Sequence, residues 1–402
     1  MSRVPMARRA IASLALCVAS FGAHADVSPA LAADLVARDA SEKVVDDFAG
    51  SLERSHPHRV VRKAERALPL ARADAPAAFW YTHEGRRFSS DDYLERQRVT
   101  GLLVLRDGRI ELERYRHGRS ETTRFLSASM AKSVVGLLVG IAVEEGAIRS
   151  MDDLAERYVP ALSGHPYGKT SIRHLLQMSS GVRFAERYDG QDDLARLIDA
   201  TIGQRSPGGA AVLLPFRERR VDAGSMFYYS SADTQVLGLV LRGATGMTVA
   251  DYLSTRLWQP MGAEDDATWL VDAGGQEAVF AFLHARLRDF ARLGRLVADE
   301  GRAGGRQLVP AAWVRQSTES AGAHAQPFVA SAYFGYGQQF WVFPGSPRRF
   351  AFLGVRGQAI FVDPALKLVL VQTAVWNSAG DRAARAELLA LWRGIVEQYG
   401  AW

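Results

Sequence analysis

Cysteine is almost missing from this sequence: the one residue is Cys17. A single thiol excludes a disulfide within the chain and any zinc site built on cysteine pairs. Lysine is nearly as scarce, with five among 49 basic residues. Neither sign of charge accumulates: 49 basic residues stand against 44 acidic ones, with no dense basic run, which argues against nucleic acid as a partner. The nine histidines are scattered. There is no His-Glu-x-x-His pattern, no glycine loop to cradle phosphate and no Gly-x-Ser-x-Gly elbow, so neither a metal nor a nucleotide cofactor is expected.

What is present is a chain of 402 residues, 48% hydrophobic and 23% charged, the composition of a globular protein with room for one large or two interleaved domains. Residues 1–25 read as a secretory leader: Arg3, Arg8 and Arg9, an apolar run over 10–22, then Ala23-His24-Ala25 before Asp26. That run is too short to span a bilayer, and no second stretch is long enough for an anchor. The residues after Arg8-Arg9 fit a twin-arginine signal poorly. A cut after Ala25 would discard Cys17 and leave 377 residues of net charge +2. A cysteine-free exported chain suits the periplasm or secretion.

Against this background residues 125–146, FLSASMAKSVVGLLVGIAVEEG, stand out. Val134, Val135, Leu137, Leu138, Val139, Ile141, Ala142 and Val143 leave a helix without a polar side, and such a helix runs through the middle of a domain. Gly146 ends it. Ser129 and Lys132 lie three residues apart at its entrance, on one face within one turn. A serine hydroxyl becomes a nucleophile when a neighbour takes its proton. Burial and the positive end of the helix dipole both disfavour the Lys132 ammonium, and the dipole favours an alkoxide or oxyanion at Ser129. The alternative is a serine N-cap beside a lysine that snorkels to the surface, and the pair alone leaves both open. The Ser-x-x-Lys spacing occurs once, where chance predicts about 0.35 occurrences.

Residues 26–98 give mixed signals, with a helix expected over 31–45 and an irregular stretch around Pro57, Pro69 and Pro76, and are expected to wrap the domain. His56 and His58 read as solvated loop histidines, because no other ligand spacing accompanies them. Residues 100–106, the Asp107-Gly108 pair and residues 109–116 read as a hairpin with a type I′ turn. Helices are expected over 152–158, 171–178, 192–202, 231–246, 248–257 and 287–300, and from Pro310 onward. Segments 336–343, 349–353, 358–363 and 368–373 read as an antiparallel meander, and 382–398 as a closing helix. The fold class is therefore α/β: a discontinuous sheet domain of residues 99–128 and 332–402, with a helical domain of residues 129–331 inserted in it.

Three of these stretches carry a resemblance. Ser129-Met130-Ala131-Lys132 opening a buried helix, GSMFYYSSADTQVLG at 224–238 and LGVRGQAIFVDP at 353–364 are similar to the three ordered motifs of the serine β-lactamase and penicillin-binding family, in its class C-like branch. SIRHLLQMSSGV, TQVLGLVLRGATGMTVADYL and LWQPMGAEDDATW most resemble the 6-aminohexanoate-dimer hydrolase subgroup and related carboxylesterases. The likeness covers residues 99–396. It implies a β-lactamase/DD-peptidase-like fold, with an antiparallel sheet flanked by helices and an inserted all-helical domain.

The resemblance also implies roles. Ser129 would form the acyl-enzyme, Lys132 would be its proton partner, and Tyr229 would share proton transfer to the leaving group, its phenol held near the charge of Lys132. Tyr228 is the rival for that place. The oxyanion hole would be the backbone N–H groups of Ser129 and Ala359, with Gly357 letting the strand approach closely. Ser231 stands where the family often has asparagine, which weakens penicillin-type recognition. Arg356-Gly357-Gln358 replaces the usual third motif, and Arg356 is either a fork for a substrate carboxylate or a surface cation. Tyr188 falls where the nylon-oligomer hydrolases contact substrate, and Trp341 and Trp376 would line or back the cleft. The implied activity is an exported serine hydrolase of a small-molecule amide or ester, with no cofactor, no nucleic acid partner and no membrane anchor after leader removal. A D-Ala-D-Ala carboxypeptidase or β-lactamase, and a non-catalytic sensor domain on the same scaffold, are the alternatives.

Overall fold

Asp107 and Gly108 both turn in the left-handed region, at φ +50° and +75°, the backbone that a two-residue hairpin with this twist demands. The computed structural model describes residues 42–75 and 77–402; the expected leader, Cys17 and most of the expected 31–45 helix lie outside them. Eight strands form the main sheet. In chain order they are β1 (Ala71–Arg72), β2 (Val99–Arg106), β3 (Arg109–Tyr115), β4 (Gly335–Tyr336), β5 (Trp341–Val342), β6 (Phe350–Gly354), β7 (Gln358–Asp363) and β8 (Leu368–Ala374). Their spatial order is β4-β5-β6-β7-β8-β2-β3-β1, antiparallel throughout except for the β1–β3 pair. The two ends of the chain therefore meet where β8 pairs with β2.

The central strands are apolar on both faces because both faces are covered. Leu103, Leu105, Ile360, Val362, Val369 and Val371 point one way, and Leu102, Val104, Phe361, Leu368 and Leu370 the other. Four long helices fix the layers: α1 (Met130–Glu144), α2 (Ser231–Thr245), α3 (Leu287–Ala298) and α4 (Arg382–Tyr399). On the first face α3 comes so close that a Cβ on Gly294 would lie 2.4 Å from Val369 Cγ1. On the second, Leu388, Leu391, Trp392, Ile395 and Val396 of α4 complete the core. The contact of α3 with the sheet follows from its wide apolar stripe.

Residues 130–142, the first thirteen of α1, are all buried, and each fully buried Val, Leu or Ile there contributes about 1.5–3 kcal/mol. Gly140 admits the Trp313 ring, whose nearest atom would be 2.4 Å from an added Cβ. The position of Ser129 is thus set by a helix that the core holds on every side.

The expected 336–343 strand is instead the β4–β5 hairpin, reversed through Gln339 at φ +64°; its aromatic residues continue across the turn and hide it from pattern reading. The expected 152–158 helix shrinks to a 3₁₀ turn, Ala155–Arg157. His56 is buried, its ring Nδ1 3.1 Å from the Leu52 carbonyl oxygen, so it is not the solvated histidine expected. A second sheet of four short strands, in the order His58–Val61, Ala267–Leu270, Leu283–Arg286, Arg124–Leu126, went unread in the sequence. It matters for the site, because its last strand feeds directly into Ser127-Ala128-Ser129.

Candidate active site

The turn before α1 is tight. Ser127 N–H is tied to the Leu283 carbonyl at 2.7 Å, and Ala128 is held at φ +43°, a region a side chain rarely adopts. Ser129 then occupies the N-cap position, yet its side chain makes no capping bond. It instead accepts a hydrogen bond from Lys132 Nζ at 3.0 Å. A second bond from Nζ, to the Phe280 carbonyl at 2.8 Å, pins the ammonium from the other side. Lys132 does not snorkel: it is 1% exposed. Burial lowers its pKa from 10.5 to about 8, with the Glu186 carboxylate opposing the fall. A lysine so placed is neutral part of the time near neutral pH, as a base for Ser129 must be.

Tyr229 reaches the pair from the chain before α2. Its ring stacks on Trp341 with centroids 5.3 Å apart, and Lys132 Nζ lies 5.1 Å from the ring centre. Tyr228, the rival, is 40% exposed and belongs to the surface. Burial, and after it the Glu186 carboxylate, push the Tyr229 phenol well above its ordinary pKa, against an interaction with the Ser129 side chain. Lys132 lies near the ring, and burial nonetheless keeps the phenol protonated. Tyr229 is a neutral acid, suited to donating a proton.

A cavity of about 40 Å³ opens onto Ser129. Its polar lining comes from Ser129, Glu186, Tyr188 and Ser231, among apolar side chains that include Phe48, Leu126, Phe280 and Val355. Glu186 was not singled out in the sequence, where a lone acid in a loop looks like any solvated charge. Its carboxylate accepts from Ser231 N–H at 2.9 Å, Ser231 Oγ at 3.2 Å and the Tyr188 hydroxyl at 2.9 Å. Tyr188 sits at φ +59°, held there by Asp192, which accepts from the N–H groups of Arg187 and Tyr188 and caps the helix Asp193–Ile202.

The third stretch is arranged differently from expectation. Ala359 lies inside the main sheet, opposite Leu353 on one side and Gln372 on the other, and is 1% exposed. Gly357, at φ +91°, makes room for Trp376, whose ring would be 2.5 Å from an added Cβ. Its small size serves that packing and not a ligand. Arg356 is fully buried and donates to the Trp376 carbonyl oxygen, so it is neither a surface cation nor an open fork. Gln358 is also buried, its amide bonded to the Ala374 carbonyl at 2.6 Å. The part of the stretch that borders the cavity is Val355, the residue after β6. Gly354 just before it passes so near the turn that leads into Ser129 that a Cβ would lie 2.8 Å from the Ser127 carbonyl oxygen. Gly354→Ala is expected to push β6 away and lower kcat about 10–100-fold with a folded protein; a kcat within about two-fold of the native value would show that this close approach is not needed.

Among the described residues no group of three or more His, Cys, Asp or Glu side chains could hold a metal ion, and no helix is long and apolar enough to cross a membrane.

Comparison with known proteins agrees with this geometry. The beta-lactamase family matches residues 91–392. A 6-aminohexanoate-dimer hydrolase of Paenarthrobacter ureafaciens is 30% identical over 327 residues, covering 79% of this chain and 81% of the relative. Penicillin-binding protein 4* of Bacillus subtilis is 24% identical over 187 residues, 42% of this chain and 38% of its own. Among solved structures, a Bacillus anthracis protein provisionally named a 6-aminohexanoate-dimer hydrolase superposes with a TM-score of 0.81 at 21% identity, over 90% of this chain and 97% of its own. A family VIII carboxylesterase shares the fold at a TM-score of 0.58 and 16% identity, over 76% and 95%. With a serine, a buried lysine and a tyrosine converging at the head of its central helix, the chain belongs to the beta-lactamase family of serine hydrolases, in the branch that holds the 6-aminohexanoate-dimer hydrolases.

Proposed function

We propose that this chain is an exported hydrolase that takes the acyl group of a small amide or ester onto Ser129 and passes it to water. The observation that carries the reading is the 3.0 Å hydrogen bond from a buried lysine to a serine hydroxyl that caps nothing. Neutral Lys132 takes the Ser129 proton as Oγ attacks the carbonyl carbon. Ser129, before α1, and Val355, just after β6, both line the cavity, and their backbone N–H groups are the donors this scheme assigns to the oxyanion. Tyr229, protonated and beside Ser129, gives a proton to the departing amine or alcohol. Water then attacks the acyl carbon, with the same groups acting in reverse.

The apolar walls of the cavity favour an aliphatic acyl group over a polar, amide-rich one. Ser231 supports that preference, because its N–H and hydroxyl are committed to Glu186 and are not available to a penicillin-like amide. An amide such as the dimer for which the 30% identical relative is named fits the reading, and activated esters form the same acyl-enzyme. Export rests on the composition of residues 1–25.

The test is a substrate panel of p-nitrophenyl butyrate, the linear 6-aminohexanoate dimer, nitrocefin and a D-Ala-D-Ala peptide, with a fluorophosphonate probe alongside. Turnover of the ester and the linear amide is expected, together with stoichiometric probe labelling. Rapid nitrocefin hydrolysis, or release of D-Ala, with no ester turnover would replace this reading by a lactamase or peptidase. No labelling at all would leave a binding scaffold.

A further inference from the structure

Among the described residues Glu186 is the one charged side chain that lines the cavity at Ser129, and the mechanism above leaves it without a task. A carboxylate in such a place is costly unless it is hydrogen-bonded or paired. Here three donors hold it: the first N–H of α2, the Ser231 hydroxyl and the Tyr188 hydroxyl. The N-terminus of a helix favours an anion, and the Tyr188 backbone is clamped in turn by Asp192 at 2.7 Å. That much fixing of one oxygen pair holds the charge in one place beside the cavity.

Behind Ser129, the cation whose charge Glu186 meets is Lys132, which donates to Ser129 Oγ. We propose that Glu186 is a positioning residue of the reaction, a fixed counter-charge that governs how readily Lys132 accepts the Ser129 proton. The inference rests on the reading of Ser129 and Lys132 given above. Two ionisable groups whose charges interact shift each other's protonation. The carboxylate favours the ammonium and the ammonium favours the carboxylate, while burial opposes both charges.

The other groups around Glu186 do not compete. Tyr188 on its own loop, Tyr229 before α2, Tyr167 on the neighbouring loop and Tyr336 of β4 all feel its charge, and burial keeps every one of these phenols protonated through the working pH range. Arg385 of α4 acts on Tyr188. Asp233, inside the first turn of α2, is pushed up to about 7 by burial and bonds Ser180 instead. These groups remain in any Glu186 variant, so a comparison cancels them.

The experiment is the pH dependence of kcat/KM for p-nitrophenyl butyrate from about pH 6 to about pH 9.5, which reports the free enzyme's base. Removing the carboxylate as Glu186→Gln is expected to move the midpoint of the acid limb down by about one unit. Glu186→Asp keeps the charge and is expected to stay within about 0.3 unit of the native midpoint whatever its rate. A merely structural role would lower the rate of both variants and move neither midpoint. A Glu186→Gln midpoint within about 0.2 unit of the native one, or equal shifts in the two variants, overturns the proposal. If Glu186→Gln is not recovered folded, Glu186→Met is measured by the same criterion. Activity surviving in Ser129→Ala would sink the reading of the site itself, whereas an inactive Ser129→Ala beside an unmoved midpoint sinks this inference alone.

Discussion

Ser129→Ala is expected to lower kcat/KM for p-nitrophenyl butyrate by roughly 10⁴-fold, to the level of the remaining binding and oxyanion contributions. The substitution deletes the nucleophile and nothing that holds the fold. Ser129 makes no cap bond for alanine to lose, and its hydroxyl is held by Lys132. Stability should therefore change by no more than about 1 kcal/mol. The fluorophosphonate probe should fail to label this variant. Mass spectrometry of the native protein trapped with a slow ester should place the acyl group on the peptide that contains Ser129. An alanine variant with native turnover, purified free of contaminating esterase, removes the nucleophile from the scheme and every later step with it.

Much of this was legible because it is local. The Ser-x-x-Lys pair, the apolar helix behind it and the Asp107-Gly108 hairpin are each written within about one or two turns of chain. The structure brings Ser129, Lys132 and Tyr229 together. What could not be read are the properties set by distant neighbours. Arg356 looked like a candidate for the cleft, yet the Trp376 backbone, twenty residues further on, takes its guanidinium into the core. Ala359 had the right spacing but lies one strand too deep, because β6 and not β7 approaches the nucleophile turn. Glu186 shows no periodicity, and its meaning appears only once α2 and the Tyr188 loop close around it. The second sheet was missed for a related reason. Its strands are three or four residues long, and Ala267–Leu270 is buried throughout, so no alternation marks it.

Lys132→Met is the substitution in which activity and stability should part company. Methionine keeps the length of the side chain and removes the base, so kcat/KM is expected to fall roughly 10³–10⁴-fold. The native acid limb, with its midpoint near the pKa of about 8 assigned to Lys132, should vanish from whatever rate remains. Stability should move the other way at neutral pH. Lys132 ionises at about 8 in the folded chain and at 10.5 when fully solvated, so the unfolded chain holds more protons between those values. Native stability therefore rises with pH through that window, and the full cost of burying the ammonium is carried below it. That cost is about 3 kcal/mol for the quoted difference. Losing the bonds to Ser129 and Phe280, and leaving Glu186 without its partner, returns part of it. A net gain of about 1–2 kcal/mol at pH 7 is expected for Lys132→Met, crossing zero inside that window and becoming a net loss of about 1–2 kcal/mol by about pH 10.5, where the native chain no longer carries the burial cost. Urea unfolding at the two pH values measures it. A variant less stable than the native chain at pH 7 would mean that the lysine is bound more favourably than its burial implies. The case for a base held part-neutral by the interior would then fail, even though the enzyme had lost its activity.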